Sequence, residues 1–250
     1  QINGLTVVHY ADSEFGLPSR ITATVHQGGG DVLDIERTVD LGGSLHAKGV
    51  LILSSYLRAK FGRDRAIHFS ASIAMEQNYG GVEGDSATMA ELAALVSAIT
   101  ELPIRQDLGI TGSMNQMGEI QPIGGVNAKI EGFFAACQLK GFTGTQGVII
   151  PQQNVRHLML RTEILQAVEQ GLFRIYAVNH AEQALELLLG EPMGVANGKG
   201  KYPKDSIIDR VLAQLKLWHK IDKGDKPKKS KKHKKNKKTE PNKDEKGDEV

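Results

Sequence analysis

The sequence predicts a mixed α/β (α+β) domain that precedes an amphipathic helix and a lysine-rich tail. Three observations support this fold class: β-branched segments alternate with polar residues, other segments carry apolar residues at helical spacing, and the two kinds interleave along the chain. We expect a compact domain over residues 1–190, a linker and amphipathic helix over residues 191–221, and a disordered basic tail over residues 222–250.

The individual elements follow from the local period of the apolar residues. Strand-like alternation and turn glycines predict strands at residues 5–10, 21–26, 32–41, 66–74, 108–114, 119–123, 148–150 and 173–178. Helical spacing predicts helices at residues 50–62, 87–100, 126–140, 155–170, 181–189 and 205–221. The helix over residues 87–100 is apolar nearly all round, which predicts that it is buried. The turn at residues 115–118 predicts a hairpin between the strands that flank it.

Charge and hydropathy exclude several classes of protein. The chain has 31 basic and 29 acidic residues, but residues 222–250 alone hold 12 lysines against 7 acidic residues. The rest of the chain is therefore mildly acidic, which does not indicate a nucleic-acid-binding domain. Because the sequence has no apolar run near the ~18 residues of a membrane span, we expect no membrane contact and a cytoplasmic location. A strand-like start without an initiator Met predicts the C-terminal part of a longer protein.

Known metal and nucleotide motifs are missing from the sequence. Cys137 is the single cysteine, which excludes an internal disulfide and a cysteine-rich zinc site. The eight histidines form no metal-binding motif, and the glycine-rich turns lack the Lys-Ser/Thr ending of a P-loop. We therefore expect neither a metal nor another cofactor in this chain.

A glycine-rich junction at residues 81–87 (GVEGDSA) places Ser86 at the opening of the buried helix. Free backbone N–H groups at a helix start can hold a developing oxyanion, so Ser86 is a candidate nucleophile. The same residues also fit an ordinary helix start, with Asp85, Ser86 or Thr88 as N-cap and Thr88 and Glu91 as a capping box. Neither a complete G-x-S-x-G elbow nor an S-x-x-K motif is present at Ser86.

Lys129 is the candidate base for this serine. On a helical wheel over residues 126–137 it lies about 60° from the centre of the apolar stripe, away from the polar positions. Desolvation there would lower the pKa of the ammonium, as a lysine general base requires. A snorkelling lysine that reaches water past its own stem fits the same position. Glu83 and Asp85 would raise this pKa if they approached Lys129, so they must point elsewhere or orient the loop.

Taken together, these residues resemble the proteolytic domain of the Lon proteases, in its B-type form. The resemblance rests on EGDSA at residues 83–87, GGVNAK at residues 124–129, and ITGSM and GEIQPIGG at residues 110–114 and 118–125. It runs from about residue 4 to residue 190. Ala128 departs from the pattern, because many relatives have Glu before the lysine, and the C-terminal helix and tail lie outside the resemblance.

The resemblance implies a compact Lon-type serine peptidase with a catalytic dyad of Ser86 and Lys129. Thr111 matches the position that hydrogen-bonds the lysine. Glu83 and Asp85 match acidic positions near the nucleophile, and backbone N–H groups around Gly84 and Ser86 would stabilise the oxyanion. The family also implies a homo-hexameric ring, unfolded polypeptide substrates, and an N-terminal ATPase module on which ATP and Mg²⁺ bind.

Two alternatives remain open from the sequence. The domain could be a non-catalytic scaffold that keeps the fold and the ring but cleaves nothing. The tail could also hold nucleic acid through its lysines, although no aromatic residue interleaves them for base stacking, and a solvated tail explains the same composition.

Overall fold

The computed structural model describes residues 1–62, 67 and 69–222. Of the predicted tail over residues 222–250, only Asp222, the last residue of the final helix, lies within them. The predicted strand over residues 66–74 lies partly outside them, and the observed strand starts at Phe69.

A seven-stranded mixed sheet forms the centre of the fold. Its strands in chain order are β1 (Ile2–Tyr10), β2 (Ser13–Gln27), β3 (Val32–Asp34), β4 (Phe69–Met75), β5 (Leu108–Ile110), β8 (Gly147–Pro151) and β9 (Arg174–Val178). Their order across the sheet is β3-β4-β2-β1-β5-β8-β9. The pairs β1/β2 and β2/β4 are antiparallel, and the other four pairs are parallel. The predicted hairpin is confirmed as β6 (Ser113–Met114) paired with β7 (Ile120–Gln121) outside this sheet. Its first strand, predicted over residues 108–114, is divided between β5 and β6.

Helices cover both faces of the sheet. They are α1 (Ile35–Thr38), α2 (Ser44–Phe61), α3 (Thr88–Thr100), α4 (Val126–Lys140), α5 (Thr162–Glu169), α6 (Ala181–Leu189) and α7 (Ile207–Asp222). None of the described helices combines the length and the apolar character that a bilayer crossing requires.

Two hydrophobic cores lie on opposite faces of the sheet. One core packs α2, α3, α6 and α7 against it, and the other packs α4 and α5. Strand β8 serves both, because Ile149 faces the first core while Val148 and Ile150 face the second, as strand alternation dictates. Helix α3 is buried along almost its whole length, which confirms the prediction from its apolar composition.

The predicted amphipathic helix is α7, and it packs onto the first core. The ring of Trp218 lies 5.6 Å from that of Phe69, and Ile207, Ile208 and Val211 are buried. Leu212, assigned to the apolar side from the sequence, is exposed instead.

The expected strand over residues 32–41 is wrong beyond its third residue. The carboxylate of Asp34 accepts a hydrogen bond from the backbone N–H of Arg37, and this N-cap starts the one-turn helix α1. The chain then turns through Leu41 and Gly42, whose N–H groups both donate to the Glu36 carbonyl.

The predicted helix over residues 155–170 is also interrupted. A 3₁₀ helix spans Gln152–His157, and α5 begins only at Thr162. Hydrogen bonds to other segments replace the helical ones at the break: the Asn154 amide exchanges two with the backbone of Ile123, and the N–H of Met159 donates to Asn127 Oδ1. These contacts hold the start of α4 against the end of β8.

Candidate active site

Ser86 lies in the loop between β4 and α3, two residues before the helix begins. The cap position is occupied by Ala87, without a side-chain cap, and the Thr88 hydroxyl donates to the Asp85 carbonyl at 2.6 Å. The predicted capping roles of Asp85, Ser86 and Thr88 are therefore wrong, and the Ser86 hydroxyl is not used to cap the helix. Within the described part of the chain, the N–H groups of Gly84, Asp85 and Ser86 meet no hydrogen-bond acceptor.

The turn before Ser86 depends on Gly84 and Glu83. Gly84 has φ +88°, a conformation that side chains disfavour. The Glu83 carboxylate points away from the serine to the start of α2, where it accepts a hydrogen bond from the N–H of Leu45 at 3.3 Å. Since Gly43 offers no side-chain cap there, Glu83 stabilises the helix start from across the loop. Glu83 is thus a residue that holds the loop.

Lys129 reaches Ser86 from the other face of the sheet. It lies in the first turns of α4, and its side chain is only 4% exposed. Its Nζ lies 2.7 Å from Ser86 Oγ and 3.1 Å from Thr111 Oγ1. The amine is therefore enclosed with two hydroxyls, and it does not snorkel to solvent. Ser86, Thr111 and Lys129 are called the Lys129 cluster below.

Burial sets the protonation of Lys129. It lowers the pKa of the amine from its ordinary 10.5 to about 8, and the charge of Asp85 opposes this with a smaller effect. The Asp85 carboxylate is itself held by the Ser113 hydroxyl, which donates to Oδ2 at 2.7 Å. The two acidic residues of the loop thus differ, because Asp85 acts on the lysine electrostatically and Glu83 does not.

Thr111 links Ser86 to Lys129. It follows β5 directly, and its N–H donates to the Ile149 carbonyl of β8. Its hydroxyl accepts from Lys129 and donates to the Ser86 carbonyl at 3.2 Å, which also accepts from the N–H of Gly112 at 2.9 Å. The carboxyl end of a parallel strand therefore fixes the serine loop and the lysine helix relative to one another.

A cleft of about 970 Å³ opens over this cluster. The loop at residues 80–87, the start of α4 and the edge of β1 line it. An extended peptide has room beside Ser86 along residues 5–9 of β1.

Comparison with known proteins assigns the family. A family model described as the Lon protease (S16) C-terminal proteolytic domain matches residues 19–191. The chain belongs to this family. It is 49% identical to a Lon protease homologue of Escherichia coli K12 over 216 residues, which cover 86% of the chain and 36% of that relative. It is 46% identical to a homologue from Haemophilus influenzae over 195 residues, covering 77% of the chain and 32% of the relative.

Archaeal members of the Lon family are more distant. The archaeal Lon protease of Pyrococcus abyssi is 34% identical over 149 residues, which cover 60% of the chain and 14% of that relative. The chain thus spans about a third of the length of its bacterial relatives and less of this archaeal one. Membership in a protease family supports a peptidase function for the Lon-type domain.

Two glycines that the sequence interpretation missed bring the Lon-type site together. A Cβ at Gly16 of β2 would lie 2.0 Å from the Ala128 carbonyl oxygen and 2.8 Å from Lys129 Cα, so the strand and α4 touch through their backbones. A Cβ at Gly49 of α2 would lie 2.5 Å from Thr88 Oγ1, next to the serine loop. Their signal in the sequence was an isolated glycine inside a strand or a helix, which often marks close backbone approach.

Proposed function

We propose that this Lon-type domain is a serine endopeptidase in which Ser86 is the nucleophile and Lys129 the general base. The observation that carries the proposal is the 2.7 Å contact between Lys129 Nζ and Ser86 Oγ beside an open cleft. The burial of the amine supports it, because a lysine acts as a base only in its neutral form.

The lowered pKa increases the fraction of Lys129 that is neutral at pH 7. With a pKa of about 8, about a tenth of the lysine is neutral at pH 7, against about one part in 3,000 at the ordinary value of 10.5. When the amine is protonated, Nζ donates to Ser86 Oγ. Once it is neutral, the same contact reverses, and the serine hydroxyl donates to the nitrogen lone pair.

The reaction then proceeds by acyl transfer. Ser86 Oγ attacks the peptide carbonyl carbon as its proton passes to Lys129 Nζ, and the carbonyl oxygen becomes an oxyanion. The unoccupied N–H groups of the loop at Gly84, Asp85 and Ser86 are the candidate donors to this oxyanion. Lys129 next protonates the departing amine, which leaves Ser86 acylated.

Hydrolysis reverses these proton transfers. Neutral Lys129 takes a proton from water, whose oxygen attacks the acyl carbon, and the lysine then returns a proton to Ser86 Oγ as the acid leaves. Thr111 positions Lys129 throughout, since its hydroxyl holds the amine on the serine side of α4. The Asp85 charge raises the pKa of the amine, against the larger effect of burial.

The proposal extends to the whole protein through the family. The substrates are unfolded polypeptides, the assembly is a homo-hexamer, and an ATPase module with its ATP and Mg²⁺ lies N-terminal to this domain in the full-length chain. An extended substrate suits the cleft, because residues 5–9 of β1 line it beside Ser86.

Labelling with a fluorophosphonate probe tests the chemistry directly. The purified chain is treated across about pH 6 to pH 10, beside Ser86→Ala and Lys129→Ala. We expect labelling at Ser86 only, loss of labelling in both variants, and a rise with pH through a midpoint near 8, well below the ~10.4 of a free lysine.

Two results would count against a Ser86–Lys129 peptidase. Substantial labelling or peptide turnover by folded Ser86→Ala or Lys129→Ala contradicts the mechanism. A folded wild-type chain that is never labelled, in isolation or in the assembled full-length protein, favours the scaffold alternative.

A further inference from the structure

A second cluster of ionisable groups lies behind the serine loop. It consists of Asp34 at the end of β3, Glu36 in α1, His46 in α2 and Glu91 in α3, and all four side chains are buried. Glu91 is 1% exposed and lies five residues after Ser86. This set, called the His46 cluster below, takes no part in the proposed peptide cleavage.

In each of the two acidic side chains of the β3–α1 segment, one carboxylate oxygen accepts a backbone hydrogen bond and the other faces the interior of the cluster. Asp34 Oδ1 accepts from the N–H of Arg37 at 3.4 Å and also lies 3.4 Å from His46 Nε2, a contact that a bound metal ion would replace. Glu36 Oε1 accepts from the N–H of Met75 at 2.7 Å. Asp34 Oδ2 and Glu36 Oε2 are buried and have no hydrogen-bond partner among the described residues. One ligand atom from each of Asp34, Glu36 and His46 falls within 4.8 Å of the others.

The imidazole of His46 lies between two carboxylates. Its Nε2 is 3.3 Å from Asp34 Oδ2, and its Nδ1 is 3.6 Å from Glu91 Oε1. In metal sites, a ligating histidine usually offers its second ring nitrogen to a carboxylate, which fixes the ring and its tautomer. Glu91 is placed for this role, and neither of its oxygens has a hydrogen-bond partner in the described part of the chain.

The excess of carboxylates in the His46 cluster favours the binding of a cation. Three carboxylates share one imidazole, whose charge when protonated can balance only one of them, and within the described ranges no lysine or arginine pairs with them. Burying several carboxylates without compensation is unfavourable, so a buried group of this kind is paired or binds a metal.

We propose that Asp34 Oδ2, Glu36 Oε2 and His46 Nε2 bind a divalent transition-metal ion, best Zn²⁺, while Glu91 accepts a hydrogen bond from His46 Nδ1–H. The imidazole favours Zn²⁺ and its neighbours over Mg²⁺ and Ca²⁺, which prefer oxygen ligands alone. Two ligands at Zn²⁺ distances from a tetrahedral centre lie about 3.4 Å apart, near the 3.3 Å between His46 Nε2 and Asp34 Oδ2.

This ion links the β3–α1 segment to α2 directly. Through His46 it also orients Glu91 of α3, the helix that follows the serine loop. Its role is therefore to brace the base of the active-site loop. The proposal departs from the sequence expectation of no metal, because the ligands come from separate elements and form no compact motif.

Metal analysis of the tag-free 250-residue chain tests the site. The protein is produced with added Zn²⁺, separated from free metal by gel filtration, and its metals are quantified by mass spectrometry. We expect about one Zn²⁺ per chain, at least a tenfold loss of zinc in His46→Gln and in Asp34→Asn, and an affinity about 10- to 100-fold weaker in Glu91→Gln. The matched control His157→Asn changes an exposed histidine and keeps the full zinc content.

Zinc K-edge X-ray absorption on the wild-type chain gives a readout that does not depend on the folding of a variant. The expected signal is one imidazole among oxygen ligands, without sulfur. A wild-type chain with less than about a tenth of an equivalent of any divalent transition metal overturns the proposal. So does zinc that shows a sulfur ligand or no imidazole, or that survives in the folded His46→Gln and Asp34→Asn variants.

Discussion

Two buried polar clusters adjoin helix α3, and they accommodate charge differently. In the Lys129 cluster, the single charged group contacts two neutral hydroxyls. In the His46 cluster, three carboxylates surround one imidazole, and four of their oxygens have no hydrogen-bond partner among the described residues. Neutral partners leave a buried amine free to release its proton, whereas unpaired carboxylates create a place for a cation.

Burial acts on both clusters by the same physical effect and moves the pKa values in opposite directions. It disfavours the charged form, so it lowers the pKa of Lys129 to about 8 and raises the pKa of Glu91 to about 7. Lys129 and Glu91 are both almost fully buried. The chemistry of their partners therefore decides which cluster suits proton transfer and which suits ion binding.

Replacing Lys129 with Met gives the largest expected effect. Probe labelling of Ser86 falls about 10³-fold or more, because no base remains. At neutral pH the same substitution is expected to increase the free energy of unfolding, because wild-type folding there buries a protonated amine. Between about pH 8 and 10.5 the unfolded chain holds a proton on Lys129 that the folded chain has lost, so wild-type stability rises with pH across this window. The stability of Lys129→Met relative to wild type therefore decreases by about 3 kcal/mol from pH 7 to pH 10.5.

Urea unfolding at both pH values measures this difference. Lys140→Met is the matched control, since Lys140 is exposed in the last turn of the same helix. A pH-independent stability difference for Lys129→Met, equal to that of the control, contradicts a lowered lysine pKa.

Thr111→Val removes one hydroxyl from the Lys129 cluster and keeps the side-chain shape. Lys129 loses one acceptor, while the Ser86 carbonyl keeps the N–H of Gly112. We expect labelling to slow about tenfold to a hundredfold and the free energy of unfolding to fall by about 1 kcal/mol.

Thr111→Ser separates positioning from packing. It restores the hydroxyl but not the methyl group, so it recovers labelling while a packing loss remains. Equal labelling by Thr111→Val and wild type contradicts a positioning role for this hydroxyl.

The sequence predicted those parts of the site that depend on local periodicity. The burial of α3 and the position of Lys129 on the shoulder of the α4 apolar stripe both follow from a period of 3.6 residues. The spacing between Ser86 and Lys129 agreed with a family pattern, and the structure places their side chains in contact.

Contacts between distant segments could not be predicted in this way. The local pattern assigned Glu91 to a capping box, but its side chain turns inward to His46. The break before α5 depends on hydrogen bonds from Asn127 and Asn154 that only the folded chain brings together. The sequence around Gly16 likewise does not indicate which segment approaches it, and in the structure this segment is the backbone of α4.

Asp85→Asn gives the smallest expected effect and sharpens the comparison most, because it removes a single charge beside the buried amine. The Asp85 charge raises the pKa of Lys129 against the larger effect of burial, so its removal lowers the midpoint of labelling below about 8. The amide oxygen still accepts from the Ser113 hydroxyl, which preserves the loop. Glu131→Gln on α4, whose carboxylate pairs with Arg161, is the control and leaves the midpoint in place. An unchanged or higher midpoint in Asp85→Asn would contradict an electrostatic effect of this carboxylate on the pKa of Lys129.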